Sequence, residues 1–165
     1  MRFISVNEAL NLIPHPLIII TVGDDVNRAG MTAAWFSRVS WDPPLVAVSI
    51  APTRYTFELI RRFKEFAIHV VSKDLVDKAV NVFGTLSSKD VDKFKLSKLT
   101  IVPARKIKAP IMKEAPVVLE CKVINMVKAG DHIIVIGQVV ESYINAEKEA
   151  VSWYKGTACE LVKID

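Results

Sequence analysis

Two segments carry residue types that could do chemistry. In the first, Met31-Thr-Ala-Ala-Trp35, three small residues stand before a tryptophan. Thr32, Ala33 and Ala34 leave the main chain uncovered, so a flat ligand can lie against it and take hydrogen bonds from its N–H and C=O groups. Trp35 and Phe36 offer aromatic surface beside it. A packed barrel strand whose small residues make room for a bulky neighbour accounts for the same pattern. In the second segment, Ala51-Pro-Thr-Arg-Tyr-Thr56, Arg54 can form a bidentate pair with a phosphate. The Thr53 and Thr56 hydroxyls and the N-terminus of a following helix add donors. A solvated arginine is the plain alternative. One hairpin strand joins the two segments, so a ring on the first and a phosphate on the second would lie at the same end of adjacent strands.

Other chemistries lack their residues. Glycines 23, 30, 84, 130, 137 and 156 build neither G-x-G-x-x-G nor G-x-x-x-x-G-K-[ST], so a nucleotide cofactor is not held by a Rossmann turn or a P-loop. His15, His69 and His132 lack the paired spacing of zinc ligands, so no metal site is expected. His69 lies inside an apolar strand and reads as structural. Cys121 and Cys159 form no C-x-x-C and read as buried, inert thiols. No G-x-S-x-G elbow is present.

The elements that must position these residues follow from pattern. Ser5 with Glu8 is a capping box opening a short helix over Val6, Ala9, Leu10 and Ile13, which Pro14 and Pro16 end. Leu17–Val22 is a β-branched strand closed by Gly23-Asp-Asp25, and Met31–Trp41 a long strand stopped by Asp42-Pro-Pro44. Leu45–Ala51 returns antiparallel to it. A helix from Phe57, capped by Thr53 or Thr56, precedes a strand at Phe66–Val71, and a second helix from Ser72 stops at Gly84. Residues 85–115 are least regular. Two strands, Val117–Val127 and His132–Tyr143, flank the turn Lys128-Ala-Gly-Asp131, and one or two more lie in Val151–Ile164. Strands adjoin strands more often than helices, which favours a closed or partly closed antiparallel barrel.

Composition sets the outer bounds. With 165 residues the chain suits a single domain, 1–165; 51% apolar and 24% charged residues exclude disorder, and 6 Gly with 8 Pro exclude a collagen-like chain. Apolar runs stay far short of the roughly 20 residues a spanning helix needs, and no signal peptide opens the chain. Two cysteines suit a reducing cytoplasm. The net charge of +4, with Arg61-Arg62-x-Lys64 and Arg105-Lys-Ile-Lys108, suggests a nucleic-acid-binding barrel as a weaker alternative. Its aromatics are not interleaved with those charges, so no nucleic acid and no membrane are expected as partners. Half-apolar composition in a small chain also suits a barrel that buries one face against a twin.

The run N-x-x-G-M-T-A-A-W-x-S-x-V-S-x-D-P-P-L-V-A-V-S-I, followed by P-x-R-Y-T, resembles the flavin reductase-like, FMN-binding split-barrel family, and its flavoredoxin-type branch in particular. Phe66–Val71, Ser88–Phe94, Gly130–Val140 and Trp153–Gly156 continue the resemblance over roughly residues 5 to 160. It implies a mainly β (α+β) fold, a six-stranded antiparallel split β-barrel with flanking short helices, working as a homodimer with FMN (FAD being possible) near the interface. By position, Met31, Thr32, Ala33, Ala34 and Trp35 would line the flavin ring. Ser49, Ile50 and Ala51 would face the ribityl chain, Arg54, Tyr55 and Thr56 would hold the phosphate, and Ser37 would add a polar contact. His132 corresponds to a position near the nicotinamide side, a hairpin-tip histidine being the plain alternative. Lys93 and Phe94 match a recurrent segment without an assigned contact, and Trp153 and Tyr154 would cover the flavin or pack the dimer. Many reductases of the family carry Asn or Ser where Ala34 and Trp35 stand. The implied activity is NAD(P)H-dependent reduction of flavin or ferric iron, with hydride passing from nicotinamide to flavin N5, or electron delivery to an acceptor protein. The alternative is a flavoredoxin-like electron carrier reduced by a partner protein.

Overall fold

The computed structural model describes residues 1–164. After α1 (Val6–Leu10), whose Ser5 hydroxyl accepts from the Glu8 N–H at 3.2 Å, come β1 (His15–Pro16) and β2 (Ile18–Gly23). The helical spacing in α1 suggested a core-facing stripe, but none of its residues is buried and Val6 and Leu10 are exposed. β2 is buried along its whole length. Alternate side chains of β2 and the preceding Leu17 serve two cores: Leu17 and Ile19 pack in one, Ile18, Ile20 and Val22 in the other. A strand covered on both faces is apolar at every position rather than at every second one.

β3 (Arg28–Ala33), β4 (Phe36–Ser40), β5 (Leu45–Ile50), α2 (Tyr55–Phe63) and β6 (Glu65–Val70) follow. The next segment, expected as one helix, is a 3₁₀ turn (Lys73–Leu75) and then a π-helical turn (Lys78–Gly84). Beyond it lie α3 (Lys93–Ser97), the two-residue pair β7 (Ile101–Val102) and β8 (Ile111–Met112), and the long hairpin β9 (Val117–Ala129) and β10 (His132–Ile144). The hairpin turn is only Gly130–Asp131, tighter than the four residues expected, and Gly130 takes its positive φ of 61°. β11 (Val151–Tyr154) and β12 (Thr157–Glu160) form a last hairpin that β1 joins.

The main sheet is antiparallel with order β3-β2-β6-β9-β10-β5-β4. It counts seven strands where the resemblance implied six, because Met31–Trp41 is not one strand. The chain turns at Ala34–Trp35, leaving β3 on one edge of the sheet and β4 on the other. Two consecutive stretches of sequence thereby form the opposite edges of one sheet, and residues 34–35 are the seam that joins them. At the seam the Phe36 N–H donates to the Ala34 carbonyl (3.0 Å) and the Ser49 N–H to the Trp35 carbonyl (2.9 Å). The class is therefore the mainly β, antiparallel split barrel with short helices that the sequence indicated.

Two buried polar groups brace the sheet. His69 is fully buried: Nδ1 lies 3.2 Å from the Ile19 carbonyl and Nε2 accepts from the Met112 N–H at 3.1 Å. Burial lowers its pKa from 6.5 to about 4, partly offset by the Ile19 carbonyl, so the ring is neutral and structural. Glu120, also fully buried, accepts from the Arg105 and Lys106 N–H groups at 2.8 and 2.7 Å. One of the two basic clusters is thus tied down through its main chain.

Candidate functional site

The site begins where β5 ends. The Arg54 N–H donates to the Ala51 carbonyl at 3.0 Å, a turn that directs the chain into α2. Arg54 occupies the position just before the helix and no side chain caps it. The expected Thr53 or Thr56 cap is therefore absent: Thr56 is instead buried within the first turn. Uncapped first-turn N–H groups and the positive end of the helix dipole are suited to an anion. Arg54 itself is exposed beside them.

These residues line a cavity of about 340 Å³ that also takes in Met31, Thr32, Gly84 and Lys93. Among its lining residues are two cations, Arg54 and Lys93, several hydroxyl side chains including Thr53, Thr56, Ser87 and Ser88, and no carboxylate. Lys93 is only 3% exposed. Its Nζ donates to the Gly30 carbonyl (2.9 Å) and the Phe83 carbonyl (3.0 Å), and no carboxylate among the described residues pairs with it. Burial, and secondarily the neighbouring Arg54, lowers its pKa from 10.5 to about 8. Phe94 does not line this cavity. It packs edge-on against Phe83 at 5.7 Å and lies under the Arg28 guanidinium at 4.9 Å, so it supports the wall.

Close packing shapes the floor. A side chain at Gly30 would place its Cβ 2.7 Å from the Phe83 ring. The π-helical turn widens the backbone opposite β3, and the Thr32 hydroxyl donates to its Ala79 carbonyl. Thr85 closes the turn, its hydroxyl donating to the Asn81 carbonyl at 2.7 Å.

Through Thr32, Gly84 and Thr85 this cavity adjoins a second, of about 280 Å³, lined by Leu17, Ala33, Ala34, Val80 and Trp153. Ala34 and Trp153 are shared in turn with a third of about 370 Å³, bounded by Leu10, Ile13, His15 and Trp35. The three run in series along β3 to the seam, charged at the Arg54 end and largely apolar beyond Thr32. Trp153 belongs to this trough, between covering a ligand and packing on the core.

The expected residues are not all brought together. Met31, Thr32, Ala51, Arg54, Tyr55 and Thr56 meet in the charged cavity, and Ala33, Ala34 and Trp35 extend along the trough. Ser49 contributes its N–H to the seam, whereas the Ile50 side chain is buried in the core. Ser37 lies outside all of these cavities, exposed on β4, its hydroxyl donating to the Arg38 carbonyl at 3.0 Å. His132 opens β10, with its ring 4.8 Å from that of Trp35 and Nδ1 2.8 Å from Asp131 Oδ1, at the seam end rather than the charged end. Lys93 is the residue whose place the sequence left open. Its partners are main-chain carbonyls, which no motif encodes; the nearest signal was a lysine ahead of an apolar residue in a polar segment.

The family model described as "Flavin reductase like domain" matches residues 10–161. An Aeropyrum pernix protein is 35% identical over 82% of this chain; the chain spans about half (52%) of that relative's length. The NADH:riboflavin 5'-phosphate oxidoreductase of Streptomyces pristinaespiralis is 30% identical over 92% of this chain and 84% of its own. Among solved structures, that of flavin reductase PheA2 superposes with a TM-score of 0.81 at 28% identity, covering 95% of this chain and 96% of the other. The chain belongs to the flavin reductase like domain family.

Proposed function

We propose that the chain binds FMN along the trough and works as an NAD(P)H-dependent flavin or ferric reductase. The observation that carries this is the trough's polarity: a carboxylate-free pocket with Arg54, Lys93 and an uncapped helix N-terminus at one end, and an apolar floor over Ala33 and Ala34 beyond it. That is the charge pattern of a phosphate joined to a flat ring. Arg54, Tyr55 and Thr56 hold the phosphate, the Thr32–Ala34 main chain lies along the ring, and Trp153 excludes water from one side. A bound flavin would supply the redox chemistry, with a nicotinamide as its hydride donor. The chain's part is to hold the ring still, keep water out and stabilise charge at its edge. His132 and Trp35, whose rings meet at a tilt at the seam end, are where the nicotinamide would enter. FMN is favoured over FAD because the relative from Streptomyces pristinaespiralis is named for riboflavin 5'-phosphate.

The chain acts as one split-barrel unit, 1–165, in a homodimer. Val39 on β4, Trp41 beside it, and Ile124 and Val127 on β9 are exposed apolar residues, which supports pairing with a second copy. Free Cys121 and Cys159 suit a cytoplasmic setting, and no helix among the described residues is long and apolar enough to cross a membrane. A second reading, an electron carrier reduced by a partner protein, is favoured by Trp35 standing where many of the reductases are polar.

The test is optical. Purified protein mixed with FMN and gel-filtered should keep the flavin absorption band, and anaerobic NADH or NADPH should bleach it. Retention without bleaching by either nucleotide selects the carrier; no retention removes both readings.

A further inference from the structure

Lys93 differs from the other cations of the chain. The remaining lysines and arginines near the trough are exposed or paired: Arg28 with Asp92 (3.0 Å), Lys89 with Glu58 (3.3 Å), Lys95 with Asp92 (3.8 Å). Lys93 is 3% exposed, lines the charged cavity, and has two of its three ammonium protons committed to the Gly30 and Phe83 carbonyls. Its only charged neighbour of consequence is another cation, Arg54 on α2. The titratable groups on the elements around it are Tyr55, Glu58, Arg61 and Arg62 of α2, Glu58 being paired with Lys89, Arg28 of β3, paired with Asp92, Lys78 of the π-helical turn, paired with Asp77, and Lys95 on its own helix. A buried cation without a counter-ion is costly to keep unless something anionic completes it.

We propose that Lys93 is the specificity-determining residue of the site, its third proton reserved for a phosphate monoester, so that it selects phosphorylated flavin over riboflavin. This rests on the flavin reading above. Arg54, exposed, adds a share of that preference that does not titrate; Lys93, fixed by two carbonyls in a buried wall, supplies the share that falls as pH rises. Because Lys93 titrates near pH 8 when the site holds no anion, the preference is complete below that pH and declines above it.

The experiment titrates FMN and riboflavin separately into the full chain by flavin fluorescence quenching, from pH 6.5 to 9.5, for wild type, Lys93→Met and Lys93→Arg. Wild type should prefer FMN, with the ratio of the two affinities falling above pH 8. Lys93→Met should lose about tenfold or more of that ratio, and its pH dependence. Lys93→Arg should recover part of it. An unchanged ratio and a flat profile in wild type would overturn the role of Lys93 and leave flavin binding standing. No binding of either flavin by wild type would overturn the flavin reading itself. Should both variants fail to fold, the wild-type pH profile alone decides: decline supports the proposal, flatness overturns it.

Discussion

The ammonium of Lys93 donates to the carbonyl of Gly30 at 2.9 Å, across the outer edge of β3. The N–H of the same glycine donates to the Ser88 hydroxyl at 3.3 Å. β3 is a terminal strand of the sheet, and at Gly30 its free polar groups are satisfied by side chains of the 85–97 segment rather than by another strand. The edge is thereby blunted and the pocket wall fixed by the same two bonds.

Gly30→Ala should damage both. The new methyl would sit 2.7 Å from the Phe83 ring, which is itself locked against Phe94. Overpacking of this kind costs about 1–3 kcal/mol. A lower urea midpoint with weaker flavin retention is expected. A wild-type midpoint would show that Phe83 moves aside freely.

Arg54→Ala should separate binding from folding. Arg54 is exposed and forms no ion pair among the described residues, so stability should change by less than about 0.5 kcal/mol. Loss of a charge-assisted phosphate contact should weaken FMN binding about tenfold or more, and riboflavin binding hardly at all. Equal weakening of both ligands would place Arg54 elsewhere than at the phosphate.

His69 predicts an acid-sensitive fold. Its pKa falls from 6.5 in the unfolded chain to about 4 in the folded one, so between those values the unfolded state binds more protons. Stability from this group is complete above pH 6.5 and lost as pH falls towards 4, on the order of 3 kcal/mol in all. Urea unfolding at pH 7 and pH 5 should show the loss in wild type. His69→Gln, which keeps one donor and one acceptor, should show much less of it.

Features encoded within a few residues were legible in the sequence. The Ser5 cap and the Gly130 turn belong here, because a cap and a turn are local; Thr32 and Arg54, expected on adjacent strands, instead meet in one cavity from β3 and from the end of β5, which do not pair. The seam was not legible. Nothing in Met31–Trp41 marks Ala34–Trp35 as a corner, since the turn is held by the Ser49 N–H, from another strand, donating to the Trp35 carbonyl. Lys93 stayed unassigned for the same reason: its partners lie on β3 and at the end of the π-helical turn. The α1 stripe misled because periodicity reports an apolar face without saying what covers it.

Dimerisation is tested on Trp41, which is 81% exposed next to β4. Wild type should sediment at about twice 18.4 kDa, and Trp41→Glu should shift it towards monomer. A monomeric wild type would leave the exposed apolar edge unexplained.

The π-helical turn over Lys78–Gly84 sets a limit on chain length at this point. Such a turn is an α-helix carrying one surplus residue, and removing that residue rewinds it. A single deletion within 78–84 would rotate Gly84 and the Phe83 carbonyl away from β3, where a substitution at the same positions would only change side chains. Descendants of this chain can therefore exchange residues here far more easily than they can lose one, and the length of the segment should drift less than its composition.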